Sequence, residues 1–148
     1  MKIISHRAYL NGQNSDFENN PDSISDCISK NFDVEIDVRI LDGDIFLGHD
    51  SPKYKVNTNF LNSYKSNLWI HCKNLDALSF FSKTEDFNYF WHQQDDYTLT
   101  SKNYIWTYPG KQLTPNSVIV DLNNEIDYSK NICFGVCTDF PIELRNIL

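Results

Sequence analysis

The sequence predicts a single α/β domain in which the strands form a compact, reduced β/α barrel with degenerate later helices. Three observations support this fold class. The chain of 148 residues has the length of one domain. Short runs rich in β-branched and aromatic residues recur along it, each bounded by turn-forming residues. Helical patterns separate the early runs, as they do in a parallel sheet or a barrel.

Strand-length runs are predicted at residues 2–5, 32–40, 44–48, 68–72, 89–92, 104–107, 117–122 and 133–138. Helices are predicted at 21–29, 58–65 and 75–82, with Asp22 as the expected cap of the first. Asp42 and Gly43 indicate a tight hairpin turn between the second and third strands. The later gaps contain about ten residues, whereas a helical crossover needs roughly a dozen. The later connections are therefore expected to be loops or short helical turns.

The overall charge excludes several classes of partner. A net charge of −7 and a pI near 4.9 argue against binding to nucleic acid or to an anionic membrane. With 41% hydrophobic and 14% aromatic residues, the chain can bury a substantial core. A small-molecule partner is the expectation, and an acidic protein that handles phosphate needs a metal or a few local cations to do so.

The cysteine pattern and the absence of long apolar runs predict a cytoplasmic protein. Cys27, Cys72, Cys133 and Cys137 include no pair at CxxC spacing, so a zinc knuckle is not expected. Buried, reduced thiols are the preferred interpretation over a disulfide. The N-terminus lacks the apolar stretch of a signal peptide, and no run approaches the length of a membrane span.

The run at 32–40 carries the first candidate for a functional site. Apolar side chains occupy one face of this predicted strand, and the opposite face carries Asp33, Glu35, Asp37 and Arg39. Glu35 and Asp37 point the same way, within reach of one cation that would relieve their repulsion. A half-exposed strand whose charged face meets water is the alternative interpretation.

Two histidines supply the second candidate. His6 and His49 end strand-like runs, and each is followed by a charged residue. The ordinary pKa of histidine lies close to working pH, so two imidazoles on either side of a scissile bond can act as base and acid. Together with the Glu35 and Asp37 pair, they provide the groups needed to cleave a phosphodiester. A structural role for each histidine is the competing interpretation.

These segments together resemble the glycerophosphodiester phosphodiesterase family. The residues that carry the resemblance are Ile4-Ser5-His6-Arg7, Glu18-Asn19-Asn20, Val34-Glu35-Ile36-Asp37-Val38 and Gly48-His49-Asp50, in the family's order and approximate spacing. Later in the chain, Ile70-His71-Cys72-Lys73 resembles the family's Ile-Glu-x-Lys strand, and residues 136–141 resemble its closing Thr-Asp-x-Pro segment.

The resemblance implies a TIM-like barrel and metal-assisted cleavage of a glycerophosphodiester-like or sugar-phosphate diester. By this resemblance His6 and His49 would be the acid/base pair. The implied metal ligands are Glu35 and Asp37, joined by His71 if it ligates. Arg7 and Lys73 would contact phosphate, and Glu18 matches an acid of the family pattern.

Three departures from the family pattern bear on this interpretation. Ala8 replaces the usual Gly, which an extended backbone would tolerate. His71 replaces the third acidic ligand, which shifts the expected metal from Mg²⁺ or Ca²⁺ toward Mn²⁺ or Zn²⁺. The chain of 148 residues is also far shorter than a full barrel of about 250 residues, so most substrate-selecting loops are missing.

The second half of the chain contributes an aromatic and polar pattern. Trp106, in the run 104–107, is a candidate for stacking on a substrate sugar, and aromatic residues of this kind equally fill the core of a small barrel. His92 ends its run as His6 does, and is expected either to line the same pocket or to be a core histidine. Asp139 is expected to hold a neighbouring basic residue or to be solvated.

Two alternatives to an enzyme follow from the same sequence. The first is a non-catalytic protein, derived from this barrel, that still binds a phosphate or sugar ligand; His71 and the missing loops favour it. The second is an unrelated α/β domain in which the acidic strand face is solvated and His6 and His49 lie far apart. Bound divalent metal distinguishes the enzyme from the binding protein. The separation of the two histidines tests the last alternative.

Overall fold

The structure is a computed structural model that describes residues 1–129 and 132–148. Within those residues, the strands are β1 Lys2–His6, β2 Asp33–Leu41, β3 Asp44–Leu47, β4 Tyr54–Val56, β5 Leu68–Cys72, β6 Asn88–Phe90, β7 Tyr97–Leu99, β8 Ile105–Thr107, β9 Ser117–Val120 and β10 Gly135–Thr138. The helices are α1 Pro21–Ser29, α2 Thr58–Tyr64, α3 Leu75–Phe81 and α4 Pro141–Ile147.

The strands form one curled sheet that resembles an open barrel. Parallel strands follow the order β6-β5-β2-β1-β10-β9-β8. β3 and β4 extend the sheet antiparallel from the second half of β2, and β7 pairs antiparallel with β8. No strand pairing between β6 and β8 is found in the described part of the chain, so the barrel is open there.

Short connections explain why this barrel is open and small. Helices α1, α2 and α3 lie between the early strands, as the sequence predicts, whereas the described residues between β6 and β10 contain no helix. The three elements that the sequence pattern did not predict are β4, β7 and α4. Each of these strands has only three residues, and α4 has seven. The predicted elements β6, β8, α2 and α3 are no longer than these, so length alone does not explain why β4, β7 and α4 were missed.

Asparagine side chains cap the N-termini of the three early helices. Asn20, Asn57 and Asn74 each accept a hydrogen bond from a main-chain N–H of the first turn of α1, α2 and α3, respectively. The expectation that Asp22 caps α1 is therefore wrong. Asp22 lies inside the first turn, after Pro21. Its negative charge interacts favourably with the positive end of the helix dipole there, but its side chain does not cap the helix.

The alternation of β2 places one apolar face against the helices and one charged face inside the barrel. Val34, Ile36 and Val38 are fully buried and pack in a core cluster with residues of α1, α2 and α3. Burial of each such side chain stabilises the fold by about 1.5–3 kcal/mol. A second cluster, which includes Ile4, Trp69, Phe90 and Trp106, packs around the barrel interior. Both faces of β2 are consequently buried.

None of the helices in residues 1–129 and 132–148 has the length and hydropathy needed to cross a lipid bilayer.

The cysteines give a test of the packing. All four are free thiols, and all but Cys133 are buried. Burial raises the pKa of Cys27 to about 11 and that of Cys72 to about 12, and it raises the pKa of Cys137 well above its ordinary value. Because the thiolate is the reactive form, we expect these three to react slowly with a disulfide reagent at mildly alkaline pH. Burial raises the pKa of the Cys133 thiol as well, but this side chain is only partly buried, so Cys133 should react faster than the other three. Cys133→Ser should remove the fastest phase, and several equally fast thiols in native protein would contradict this packing.

Candidate active site

A cavity of about 280 Å³ opens where the parallel strands end. All four histidines of the chain line it, and the complete lining is His6, Arg7, Glu35, His49, His71, Lys73, His92, Gln93, Trp106, Tyr108 and Val120. The residues predicted as catalytic, phosphate-binding or metal-binding therefore converge, since all of them line this cavity except Asp37, which contacts His71. Glu18 does not line it and reaches the site through Arg7. Carboxyl ends of parallel strands are where barrel enzymes place their reactive groups.

Strand register brings the acidic residues to the histidines. His6 of β1 pairs in register with Glu35 of β2, and Asp37 pairs with His71 of β5. Glu35 is 2% exposed and Asp37 is 0% exposed. The interpretation of β2 as a strand with a solvated charged face is thus excluded, and so is an arrangement that scatters His6 and His49.

Glu35, Asp37 and His71 form the centre of the site. Nδ1 of His71 lies 3.2 Å from Oδ1 of Asp37 and 3.7 Å from Oε1 of Glu35. Burial lowers the pKa of His71, but the two carboxylates outweigh burial and raise it to about 9. Burial also opposes ionisation of Asp37, yet contacts with His71, Arg7 and Asn19 hold the pKa of its carboxyl well below the ordinary value. Asp37 and His71 are therefore an ionised pair in close contact inside the site.

These three side chains fit a divalent metal. Their ligand atoms lie within 4.8 Å of one another. Nε2 of His71 donates to the main-chain oxygen of His92 at 2.9 Å, so Nδ1 is the nitrogen that would ligate a metal, which would take the place of the proton that Nδ1 shares with the carboxylates. Among the described residues, Oδ1 of Asp37 is buried and has no hydrogen-bond partner of good geometry. An orphaned carboxylate oxygen beside an imidazole nitrogen and a second carboxylate is a suitable donor set.

Two cationic side chains flank Asp37. Nε of Arg7 lies 3.3 Å from its Oδ2, and Nζ of Lys73 lies 3.7 Å from its Oδ1. Arg7 also approaches Glu18, with Nη1 at 3.7 Å from Oε2. Both cations line the cavity, so each can face an anionic ligand while it neutralises the buried acid.

His6 is oriented by a buried carboxylate. Its Nδ1 lies 2.6 Å from Oδ1 of Asp139, and its Nε2 lies 4.0 Å from Oε2 of Glu35. Asp139 is 1% exposed, and its other oxygen accepts from Gln13 at 2.9 Å. A carboxylate on Nδ1 fixes the tautomer that leaves Nε2 available for proton transfer. Asp139 therefore holds a basic neighbour, as one of the two sequence interpretations has it.

His49 has a similar but more exposed arrangement. Its Nδ1 lies 2.7 Å from Oδ1 of Asp50, and its side chain is 30% exposed. The Asp50 side chain is 94% exposed, so water screens this pair strongly. The guanidinium of Arg39 donates to the main-chain oxygen of His49 and fixes the loop that follows β3. Both histidines thus present Nε2 as the nitrogen without a carboxylate partner at hydrogen-bond distance.

The turn after β1 does not meet the condition under which alanine is tolerated at position 8. Arg7 and Ala8 have φ angles of 49° and 66°, so the backbone at Ala8 is left-handed and not extended. A non-glycine residue in this region costs about 1 kcal/mol, which explains the glycine of the family pattern. The turn directs the main-chain N–H of Arg7 to Oε2 of Glu35 at 3.2 Å. The strained backbone of Arg7 and Ala8 thus lies in the turn that positions the carboxylate of Glu35.

Asn19 is a site residue whose role the sequence did not reveal. It is fully buried, donates from Nδ2 to Asp37 at 3.0 Å and accepts from the main-chain N–H of Asp37 at 2.9 Å. Its own N–H donates to the main-chain oxygen of Arg7. The only signal in the sequence was its place in the Glu18-Asn19-Asn20 motif. Gln93 and Tyr108, which also line the cavity, belong to the polar and aromatic segments that the sequence offered either as a sugar-stacking wall or as core.

Comparison with known proteins supports the fold. The sequence matches no protein-family model and no curated protein. The structure is similar to the crystal structure of "a putative glycerophosphodiester phosphodiesterase from Galdieria sulphuraria", with a TM-score of 0.54 and 12% identity, over 99% of this chain and 96% of that chain. Similarity at this identity establishes a shared architecture alone. The chain therefore has a TIM-like barrel architecture in an open form.

Proposed function

We propose that this chain is a metal-assisted phosphodiesterase that cleaves a small glycerophosphodiester-like or sugar-phosphate diester. One observation carries the proposal: a single cavity is lined by His6 and His49 and has Glu35, Asp37 and His71 at its base. The similarity in fold to a protein described as a putative glycerophosphodiester phosphodiesterase supports the same reaction class.

Different side chains have different roles in this reaction. Arg7 and Lys73 bind the phosphate oxygens, because they are the cations that line the cavity. One of His6 and His49 takes the proton of the attacking hydroxyl, and the other donates a proton to the leaving alcohol oxygen as its bond to phosphorus breaks. Attack by water yields a phosphate monoester and an alcohol. Attack by a neighbouring hydroxyl of the substrate yields a cyclic phosphate and the same alcohol.

Glu35, Asp37 and His71 would hold the divalent metal. When bound, it supplies Lewis-acid stabilisation of the charge on the phosphate. The protein's own contribution is to fix these ligands: Asn19 holds Asp37, the main chain of Arg7 holds Glu35, and the carbonyl of His92 holds His71. Loss of a hydrogen bond that holds a metal ligand in this way typically lowers metal affinity by about 10-fold to 100-fold.

The imidazole ligand gives a prediction about metal preference. Purified protein should be stabilised more by Mn²⁺ or Zn²⁺ than by Mg²⁺ or Ca²⁺, because a nitrogen donor favours transition metals over hard cations. Thermal unfolding with each metal measures the effect, since a ligand that binds only the folded state raises the melting temperature. His71→Glu should reverse the order in favour of Mg²⁺ or Ca²⁺.

The matched control for this experiment is Lys53→Ala, a change outside the cavity that should keep the wild-type order of metals. A melting temperature that no divalent metal changes, and that a chelator leaves unaltered, would contradict the metal site.

A non-catalytic phosphate- or sugar-binding protein is the second candidate function. The observation in its favour is that Arg7, Lys73 and His71 already neutralise Asp37 without any metal. Such a protein would bind phosphate esters equally well in chelator and would turn over none of them. Phosphodiester turnover that a chelator removes and Mn²⁺ restores would exclude this candidate.

The proposal extends to partners and location. A cavity of about 280 Å³ suits a small phosphodiester, and the net charge of −7 disfavours nucleic acid and anionic membranes as partners. We propose the cytoplasm as the site of action, in keeping with four free cysteines.

A further inference from the structure

The lining of the active-site cavity divides into two chemically different halves. The half formed by β1, β2, β5 and the loop after β3 contains Arg7, Glu35 and Lys73, the charged residues of the cavity lining. The other half comes from the ends of β6, β8 and β9, and it contains no Lys, Arg, Asp or Glu among the described residues. Its members are His92, Gln93, Trp106, Tyr108 and Val120. The proposed phosphate chemistry leaves this second half unused.

Aromatic rings form one part of this second half. Trp106 is 5% exposed, and Phe90 stacks against it with ring centroids 4.5 Å apart, so Trp106 can offer only its uncovered side to a ligand. Tyr108 is 51% exposed at the mouth, and its main-chain N–H donates to the oxygen of Asp96 at 2.9 Å. The backbone of Tyr108 is thus fixed while about half of the side chain stays exposed. An aromatic ring placed this way at the mouth of a cavity is suited to stacking on a ligand.

Neutral hydrogen-bonding groups form the other part. Nε2 of His92 lies 2.8 Å from the main-chain oxygen of Asp95 and must donate to it, because a carbonyl only accepts. Nδ1 of His92 is thus the free nitrogen of that ring. Gln93 adds a carboxamide, which both donates and accepts. Aromatic faces alternating with neutral donors and acceptors match a ring that carries several hydroxyl groups.

From this arrangement we propose that the second half of the cavity binds the sugar ring of the leaving alcohol, so that the substrate is a phosphodiester of a sugar. The inference rests on the proposed phosphodiesterase function and specifies its substrate class. A quaternary ammonium group would use the aromatic faces of Trp106 and Tyr108 but would leave the hydrogen-bonding groups of His92 and Gln93 unused, whereas sugar hydroxyl groups use both. A lipid chain would need a longer apolar channel, whereas a cavity of about 280 Å³ is at the lower end for ligand pockets.

Two phosphodiesters of glycerol phosphate test this inference, one with glucose and one with ethanol as the leaving alcohol. Wild-type protein should cleave the glucose diester with a kcat/KM about 10-fold higher, the size of effect expected from aromatic stacking. Tyr108→Ala should reduce that preference to about 2-fold or less. The matched control is Tyr97→Ala on β7, an exposed tyrosine outside the cavity, which should keep the preference.

Equal kcat/KM values for the two diesters, or a proportional loss of both in Tyr108→Ala, would overturn the inference and leave the phosphodiesterase proposal standing. Cleavage of neither diester would overturn the phosphodiesterase proposal instead. Calorimetry with glucose phosphate and ethyl phosphate then decides the sugar subsite separately. Tighter binding of glucose phosphate, lost in Tyr108→Ala and kept in Tyr97→Ala, supports the subsite, and equal binding of the two esters refutes it.

Discussion

His49→Ala is expected to lower phosphodiester kcat by about 10²-fold to 10⁴-fold, the contribution typical of a positioned acid or base. The fold should survive the change. The imidazole of His49 is 30% exposed and, among the residues the structure describes, bonds only to the exposed Asp50; the main-chain oxygen that Arg39 holds is retained in alanine. Initial rates on a phosphodiester measure the loss, and circular dichroism with a melting curve verifies the fold.

Lys55→Ala is the matched control for this variant. Lys55 lies on the neighbouring strand β4, and its ammonium contacts Asp44 outside the cavity. This variant should retain wild-type rates. Activity of His49→Ala within a few-fold of wild type would remove His49 from the reaction.

Asp139→Asn is expected to reduce kcat by about 100-fold or more, with a smaller effect on KM. The side chain keeps its shape, but an amide no longer fixes the tautomer of His6 as the carboxylate does, which is costly in other histidine–carboxylate pairs. Because Asp139 is 1% exposed, water cannot replace the lost charge. Asp139 is thus a positioning residue, and separate measurements of kcat and KM should show the loss in kcat with KM nearly unchanged.

Asp50→Asn provides the comparison on the other histidine. The two substitutions are chemically the same, but Asp50 is 94% exposed. An exposed pair contributes up to about 1 kcal/mol, so the loss should be about 5-fold at most. Equal effects of the two variants would show that burial of Asp139 gives His6 no special role.

The strand β2 and its hairpin could be predicted because local chemistry decides them. Alternation over residues 32–40 specifies a strand with two different faces, and Asp42 and Gly43 adopt φ angles of 52° and 84°, as a tight hairpin turn requires. The sequence did not reveal that both faces of β2 are buried. That depends on the closure of the sheet around Glu35 and Asp37, which is a property of the complete fold.

The sequence could predict which residues form the site, but it could not predict the hydrogen bonds that hold those residues in place. His6, Glu35, Asp37 and His49 follow a motif order, so their convergence could be expected. Asn19 contacts Asp37 across 18 positions of the chain, and His6 contacts Asp139 across 133. Contacts over such separations leave no periodic pattern, and only a folded barrel brings these residues together.

The most direct test of the account is a ³¹P NMR time course of a glycerol phosphate diester with Mn²⁺-loaded protein. Wild-type protein should convert the diester resonance into a monoester or a cyclic phosphate, and the spectrum distinguishes the two products. The double variant His6→Ala/His49→Ala, verified to be folded, should leave the diester intact. An unchanged spectrum with wild-type protein, or equal conversion by the double variant, would contradict the claim that this cavity cleaves phosphodiesters through its two histidines.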